Sequence, residues 1–128
     1  MIRYFDSSVL LSVIFNPGTE KNFIKSARQE FFTSRLSQVE VLRTVMKQDP
    51  QLISRALGIL HKVQFVEISD RVIDDASSYP HEITLKSADA IHMATAELLL
   101  DVDDVLVTFD KQMANNAEKL GVKVATSL

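Results

Sequence analysis

Apolar residues in this chain follow two rhythms. Short runs rich in β-branched and aromatic residues alternate with longer segments in which apolar positions return every three or four residues. The first rhythm is that of strands and the second that of amphipathic helices. "IRYF" reads as a strand running straight into a helix at "DSSVLLSVIF", and "FNPGTEKN" (15–22) as a turn before a helix through Ala27. "EFFTS" (30–34) is a strand, and "RLSQVEVLRTVMKQ" (35–48) a helix stopped by Asp49-Pro50. A helix over 51–63, a strand "QFVEIS" (64–69) and a helix "DRVIDDASSY" ending near Pro80 follow. "SADAIHMATAELLL" (87–100) is apolar almost all round, as in a buried helix. "DVLVTF" (104–109) is a strand, "DKQMANNAEKL" (110–120) a helix closed by Gly121, and "VKVAT" a last strand. Strands alternating with helices over short connections predict an α/β fold of three layers, α/β/α, with a central mostly parallel sheet. The whole chain, residues 1–128, is expected to form one domain.

Composition narrows the setting. No apolar stretch approaches the roughly 20 residues of a membrane span. The N-terminus has no charged leader before a long apolar region. Cysteine is absent, which excludes a disulfide framework, a thiolate metal site and a thiol nucleophile. A cytoplasmic protein is the expectation. The 17 acidic residues outnumber the 14 Lys and Arg, for a net charge of −3, and the basic residues form no long run. A chain of this balance holds nucleic acid only if something other than bulk charge attracts phosphates, and bound metal ions can do that.

Candidate chemistry lies in the carboxylates. In parallel α/β sheets, ligands gather at the carboxyl ends of strands near a reversal in strand order. Asp6 follows "IRYF" and Asp110 follows "VLVTF", each entering a helix, and Asp89 opens the buried helix. Taken singly, each suits a helix cap or first turn. Taken together, three converging carboxylates repel one another, and a hard cation relieves that repulsion; oxygen donors without His or Cys suit Mg²⁺ or Mn²⁺. Periodicity does not select Glu40. With Val39, Leu42, Val45 and Met46 as the apolar stripe, Glu40 falls well off its centre, and a solvated pair with Arg43 accounts for it. His92 reads as a packed core histidine, His61 and His81 as surface residues. "DVDD" (101–104) reads as a solvated turn, and Asp74 and Asp75 as an exposed helix face.

The string "LKSADAIHMATA" resembles the "DAIHLATA" helix of PIN-domain nucleases, in particular the VapC-type toxins of prokaryotic toxin–antitoxin pairs. "FDSSVLL" resembles their opening strand end, "TSRLSQVEVLRT" their second motif and "VLVTFDKQM" their last, in the family's order and spacing over nearly the whole chain. The resemblance implies a PIN-like fold and a metal-dependent endoribonuclease. Asp6, Glu40, Asp89 and Asp110 become the acidic quartet that coordinates Mg²⁺ or Mn²⁺, and Ser8 and Thr108 hydroxyls that bond the acids or the metal's waters. Glu40 enters only through this match. An RNA substrate, a cognate antitoxin whose tail occludes the acidic pocket, and a homodimer are implied with it. Met113 stands where family members often carry Phe or Leu. Two other readings remain: a non-catalytic PIN-like module that binds RNA or protein, and a phosphoryl-transfer domain built on Asp6. The last lacks a second Asp in "DSS" and a lysine strand at "VTFDKQ".

Overall fold

The structure, a computed structural model, describes residues 1–19 and 30–128. Beyond Thr19, the helix expected through Ala27 lies outside the described residues. Five strands, β1 (Ile2–Phe5), β2 (Glu30–Ser34), β3 (Gln64–Val66), β4 (Val105–Val107) and β5 (Val124–Ala125), form one sheet in the order β3-β2-β1-β4-β5. Every neighbouring pair is parallel. From β1 the sheet grows outward through β2 and β3, and the chain then returns to lay β4 on the other side of β1. The strand order therefore reverses between β1 and β4, where Arg3 aligns with Val105 and Phe5 with Val107.

Alternation along the strands builds a core on each face. Phe5, Phe31, Val105 and Val107 point to one side and pack with Val9, Leu10, Val13 and Ile14 of α1 (Ser7–Phe15). The same core takes Val41 and Val45 of α2 (Leu36–Gln48) and Ala56 and Ile59 of α3 (Ile53–Leu60). Tyr4 and Leu106 point to the other side, against Met93 and Ala96 of α5 (Ser87–Leu99) and Met113 and Ala117 of α6 (Lys111–Lys119). The helix α4 (Asp70–Ser77) packs on α5. Both sheet faces are thus covered, as the near-continuous apolar strands require, and the three-layer α/β/α expectation holds.

Local chemistry sets several boundaries. The Asp49 carboxylate accepts from the Gln51 amide at 3.3 Å, and Pro50 opens a 3₁₀ turn over Pro50–Leu52 rather than an α-helix. Ser69 caps α4 by accepting from the Val72 amide at 3.2 Å, so β3 ends earlier than the expected "QFVEIS" run. Gly121 closes α6 with φ +75°, a conformation that disfavours any side chain.

Two expectations are corrected here. Residues 101–104 are not simply a solvated turn: Asp104 is buried, accepting from the Ile2 amide at 2.8 Å and the Asp101 amide at 2.9 Å. It fastens the start of β1 to the turn before β4. The inner stripe of α2 is Ser37, Val41 and Val45, whereas Val39 and Met46 face outward at 56% and 53% exposure. Ser37 can sit inside because its hydroxyl is bonded to that of Thr33, 2.6 Å away.

Candidate active site

The reversal between β1 and β4 brings Asp6 and Thr108 together at the carboxyl edge of the sheet. Asp6 is 3% exposed, and its two oxygens are held by different hydroxyls. Ser8 Oγ donates to Oδ1 and Thr108 Oγ1 to Oδ2, both at 2.5 Å. The direction of these bonds is fixed from behind. The Phe109 amide donates to Ser8 Oγ at 3.1 Å and the Asp110 amide to Thr108 Oγ1 at 3.1 Å. Each hydroxyl accepts from the backbone, so its hydrogen is left for the carboxylate.

This arrangement answers the capping question for Asp6. Although Asp6 stands at the N-cap of α1, its side chain makes no capping hydrogen bond. The pull from the Val9 amide is the weakest of the influences on it. Burial raises the Asp6 pKa above the ordinary carboxylate value, and the hydrogen bonds from the Ser8 and Thr108 hydroxyls oppose that rise. Asp110 behaves differently. It caps α6, with Oδ1 accepting from the amides of Gln112 at 2.8 Å and Met113 at 3.1 Å. Among the described residues its second oxygen accepts no hydrogen bond, and the residue is exposed.

Asp89 lies in the first turn of α5, half-buried, with no side-chain hydrogen bond among the described residues. Its pKa is also raised, by burial first and then by repulsion from Asp110, with smaller contributions from Asp6 and Glu40. Those repulsions bring the acids of four elements into one electrostatic neighbourhood.

Glu40, on α2, is not paired with Arg43. Its Oε1 lies 2.6 Å from Nε2 of His92, which is 1% exposed on α5. His92 Nδ1 lies in turn 2.7 Å from the hydroxyl of Tyr4 on β1. His92 is packed in the core, as the sequence suggests, yet it also touches an acid of the site. His61 and His81 are exposed, as expected. Nothing local in the sequence marks Tyr4. The one available signal for Glu40 is the α2 stripe: once Ser37 is counted as buried, the inner face turns about a third of a turn toward Glu40.

Among the described residues, no three Asp, Glu, His or Cys side chains are already drawn together as a metal-binding group. The donor chemistry still fits a hard divalent cation. Asp89, the second oxygen of Asp110 and Oε2 of Glu40 have no protein hydrogen bond among the described residues. Mg²⁺ commonly takes only one or two carboxylates directly and keeps several waters, so a preformed cage is not required. Thiolate ligands are absent.

Fold and site together define a parallel α/β protein that gathers acidic side chains at its topological switch point. Residues 3–119 match the family model of the PIN domain, and the chain belongs to that family. It is 32% identical over 96 residues to Ribonuclease VapC35 of Mycobacterium tuberculosis (strain CDC 1551 / Oshkosh), covering 73% of this chain and 70% of that protein. Ribonuclease VapC46 of strain ATCC 25618 / H37Rv is 28% identical over 125 residues, 94% of each chain. Among solved structures, a toxin–antitoxin complex from Klebsiella pneumoniae superposes with TM-score 0.73 at 22% identity, over 97% of this chain and 96% of that one. VapBC-1 from nontypeable Haemophilus influenzae superposes with TM-score 0.72 at 12% identity, over 98% and 97%. At those identities the superpositions show the shared fold.

Proposed function

We propose that the protein is a metal-dependent endoribonuclease, the toxin of a cytoplasmic toxin–antitoxin pair, with Asp6, Glu40, Asp89 and Asp110 as its acidic site. The observation that carries this reading is the placement of a buried Asp6 at the switch point of the sheet, both oxygens held by Ser8 and Thr108, with Asp110 at the start of the adjoining helix and Glu40 tied to His92 on the helix that carries Asp89. Carboxylates held near one another repel at a cost to the fold, and a divalent cation relieves that cost. Relatives named as VapC ribonucleases supply the substrate class, RNA, and the neighbouring toxin–antitoxin complexes supply the partner class, a cognate antitoxin.

A bound Mg²⁺ or Mn²⁺ supplies an activated water and neutralises charge developing on the scissile phosphodiester. The chain's residues divide the remaining work. Asp6 is buried with both oxygens engaged, so it serves as a fixed negative charge rather than a nucleophile. Ser8 and Thr108 favour its ionised form and fix its orientation. Asp89, Asp110 and Glu40 carry the oxygens left free to bind and orient the cation. The net charge of −3 makes the same cation the means by which an RNA backbone is attracted. Association of two copies is supported by the apolar residues left exposed on neighbouring helices, Val39 and Met46 on α2 and Leu57 on α3. Light scattering on the isolated protein tests that association.

The test of the activity is RNA cleavage by the purified protein with Mg²⁺ or Mn²⁺, beside chelator and beside Asp89→Asn. Cleavage is expected with metal and lost in both controls. Undiminished growth arrest on expression of Asp89→Asn would favour the non-catalytic module that binds RNA or protein. Cleavage persisting in EDTA would remove the metal from the mechanism.

A further inference from the structure

The proposed function gives no role to Tyr4 and His92, two polar side chains at 0% and 1% exposure. Burying a phenol and an imidazole is costly unless both are satisfied, and here they are satisfied by each other and by the site. The Ser34 amide donates to the Tyr4 hydroxyl at 3.1 Å. An amide can only donate, so the phenolic oxygen accepts there and keeps its single hydrogen for His92 Nδ1, 2.7 Å away. With Nδ1 accepting, the imidazole proton sits on Nε2, directed at Glu40 Oε1 at 2.6 Å. The ring is also set edge-on to Tyr4, with centroids 5.9 Å apart and planes at 68°. The relay crosses four elements: the end of β2, then β1, α5 and α2.

Glu40 needs such a partner. Its side chain is 25% exposed, its helix turns Val39 outward, and a long, flexible glutamate side chain loses rotamer freedom on being fixed. Resting on the reading of the acids as a cation site, we propose that His92, oriented by Tyr4, is the positioning residue that fixes the Glu40 carboxylate for metal binding. The imidazole takes Oε1 and leaves Oε2 without a protein partner. Hydrogen bonds one shell out from metal-binding carboxylates act in this way, and their loss typically costs 10- to 100-fold in metal affinity or activity.

The experiment is direct Mn²⁺ binding, read from the free-ion electron paramagnetic resonance signal, on wild type, Tyr4→Phe, His92→Leu, His92→Gln and Glu40→Gln. Circular dichroism selects the folded variants. His92→Leu is expected to weaken Mn²⁺ binding about 10-fold or more, with the metal concentration for half-maximal RNA cleavage rising in parallel. His92→Gln, which keeps an N–H donor, should recover most of the affinity. Tyr4→Phe, which removes one oxygen and disturbs the core least, should fall between wild type and His92→Leu. In a Glu40→Gln background, His92→Leu should cost little more. A merely structural histidine would lower thermal stability and leave the Mn²⁺ affinity of the folded variants unchanged, which overturns the proposal. An equal loss with and without Glu40 overturns it too, because His92 would then not act through that carboxylate. If wild type binds no Mn²⁺ at all, the proposed function fails and this inference goes with it.

Discussion

Thr108→Val tests the electrostatic anchoring of Asp6 with a single atom exchange. Valine keeps the shape of threonine but cannot donate to Asp6 Oδ2 or accept the Asp110 amide. Hydrogen bonds to charged groups contribute roughly 1.5–3 kcal/mol net. Thr108 is fully buried, so water cannot replace the hydroxyl. A loss of about 2 kcal/mol at neutral pH is expected, which for a domain of this size lowers Tm by roughly 6–12 °C. The pH dependence carries the sign. Because burial raises the folded pKa of Asp6, keeping it ionised is a cost to the fold that is fully present above that pKa. The cost vanishes once pH drops below the ordinary carboxylate pKa of about 4. Removing the Thr108 hydroxyl raises the Asp6 pKa further and enlarges the cost. The deficit of Thr108→Val is therefore largest near neutrality and shrinks as pH falls, leaving a remainder from the lost neutral hydrogen bond. Thermal melts in chelator across the acidic range, on Thr108→Val, Thr108→Ser and the pair of each with Asp6→Asn, measure this. Thr108→Ser should stay close to wild type, and Asp6→Asn should remove much of the valine variant's deficit. A deficit that is independent of pH and persists beside Asn at position 6 would mean Thr108 acts by packing alone.

The other acids respond in opposite senses. Asp89→Asn should abolish detectable RNA cleavage while raising the stability of the metal-free protein by up to about 1 kcal/mol, a figure kept small because Asp89 is half-exposed. Its raised pKa makes that gain largest above the carboxylate range and absent below it; an unchanged or lower neutral-pH Tm in chelator would contradict the repulsion argument. Asp104 has the reverse sign: the Asp101 and Ile2 amides hold its carboxyl below the ordinary value. Its stabilisation is present above that ordinary value and is lost as pH falls through the folded one, so Asp104→Asn should be less stable than wild type at neutral pH, the gap closing in acid, with cleavage unaffected in the folded fraction. Leu106→Ala, on the central strand at 0% exposure, should cost about 2–5 kcal/mol in urea unfolding.

The fold was legible because parallel strands buried on both faces leave a strong mark. "IRYF" and "DVLVTF" carry apolar residues at consecutive positions, and Tyr4 and Phe5 do enter opposite cores. Boundaries were less legible, since they depend on which polar group wins a local contest. Ser69 caps α4 and cuts short the expected strand, while Pro50 winds a 3₁₀ turn where a helix was read. The stripe of α2 departs from its apolar periodicity for a related reason. Apolar periodicity counted Val39 and Met46 as inner positions, but an apolar pattern does not distinguish a face buried within its own chain from one left outside. Ser37 is polar and carries no apolar signal, yet its bond to Thr33 makes it a core residue.

The candidate site divides along the same line between local and distant information. Asp6 and Asp110 can be found from topology alone, because each ends a strand and the strand order brings those ends together. Glu40 cannot, because its partner His92 lies 52 residues away and the Tyr4 beneath that histidine a further 88 from it in sequence. Such pairings leave no spacing to read. Their consequence is a graded site rather than four equivalent acids. Asp6 has both oxygens engaged by Ser8 and Thr108, Asp110 and Glu40 have one each engaged, and Asp89 has none. Loss of charge at Asp89 should therefore disturb the protein scaffold least and any bound cation most. Loss at Asp6 should disturb the scaffold as well, because two hydroxyls and two backbone amides are oriented around it.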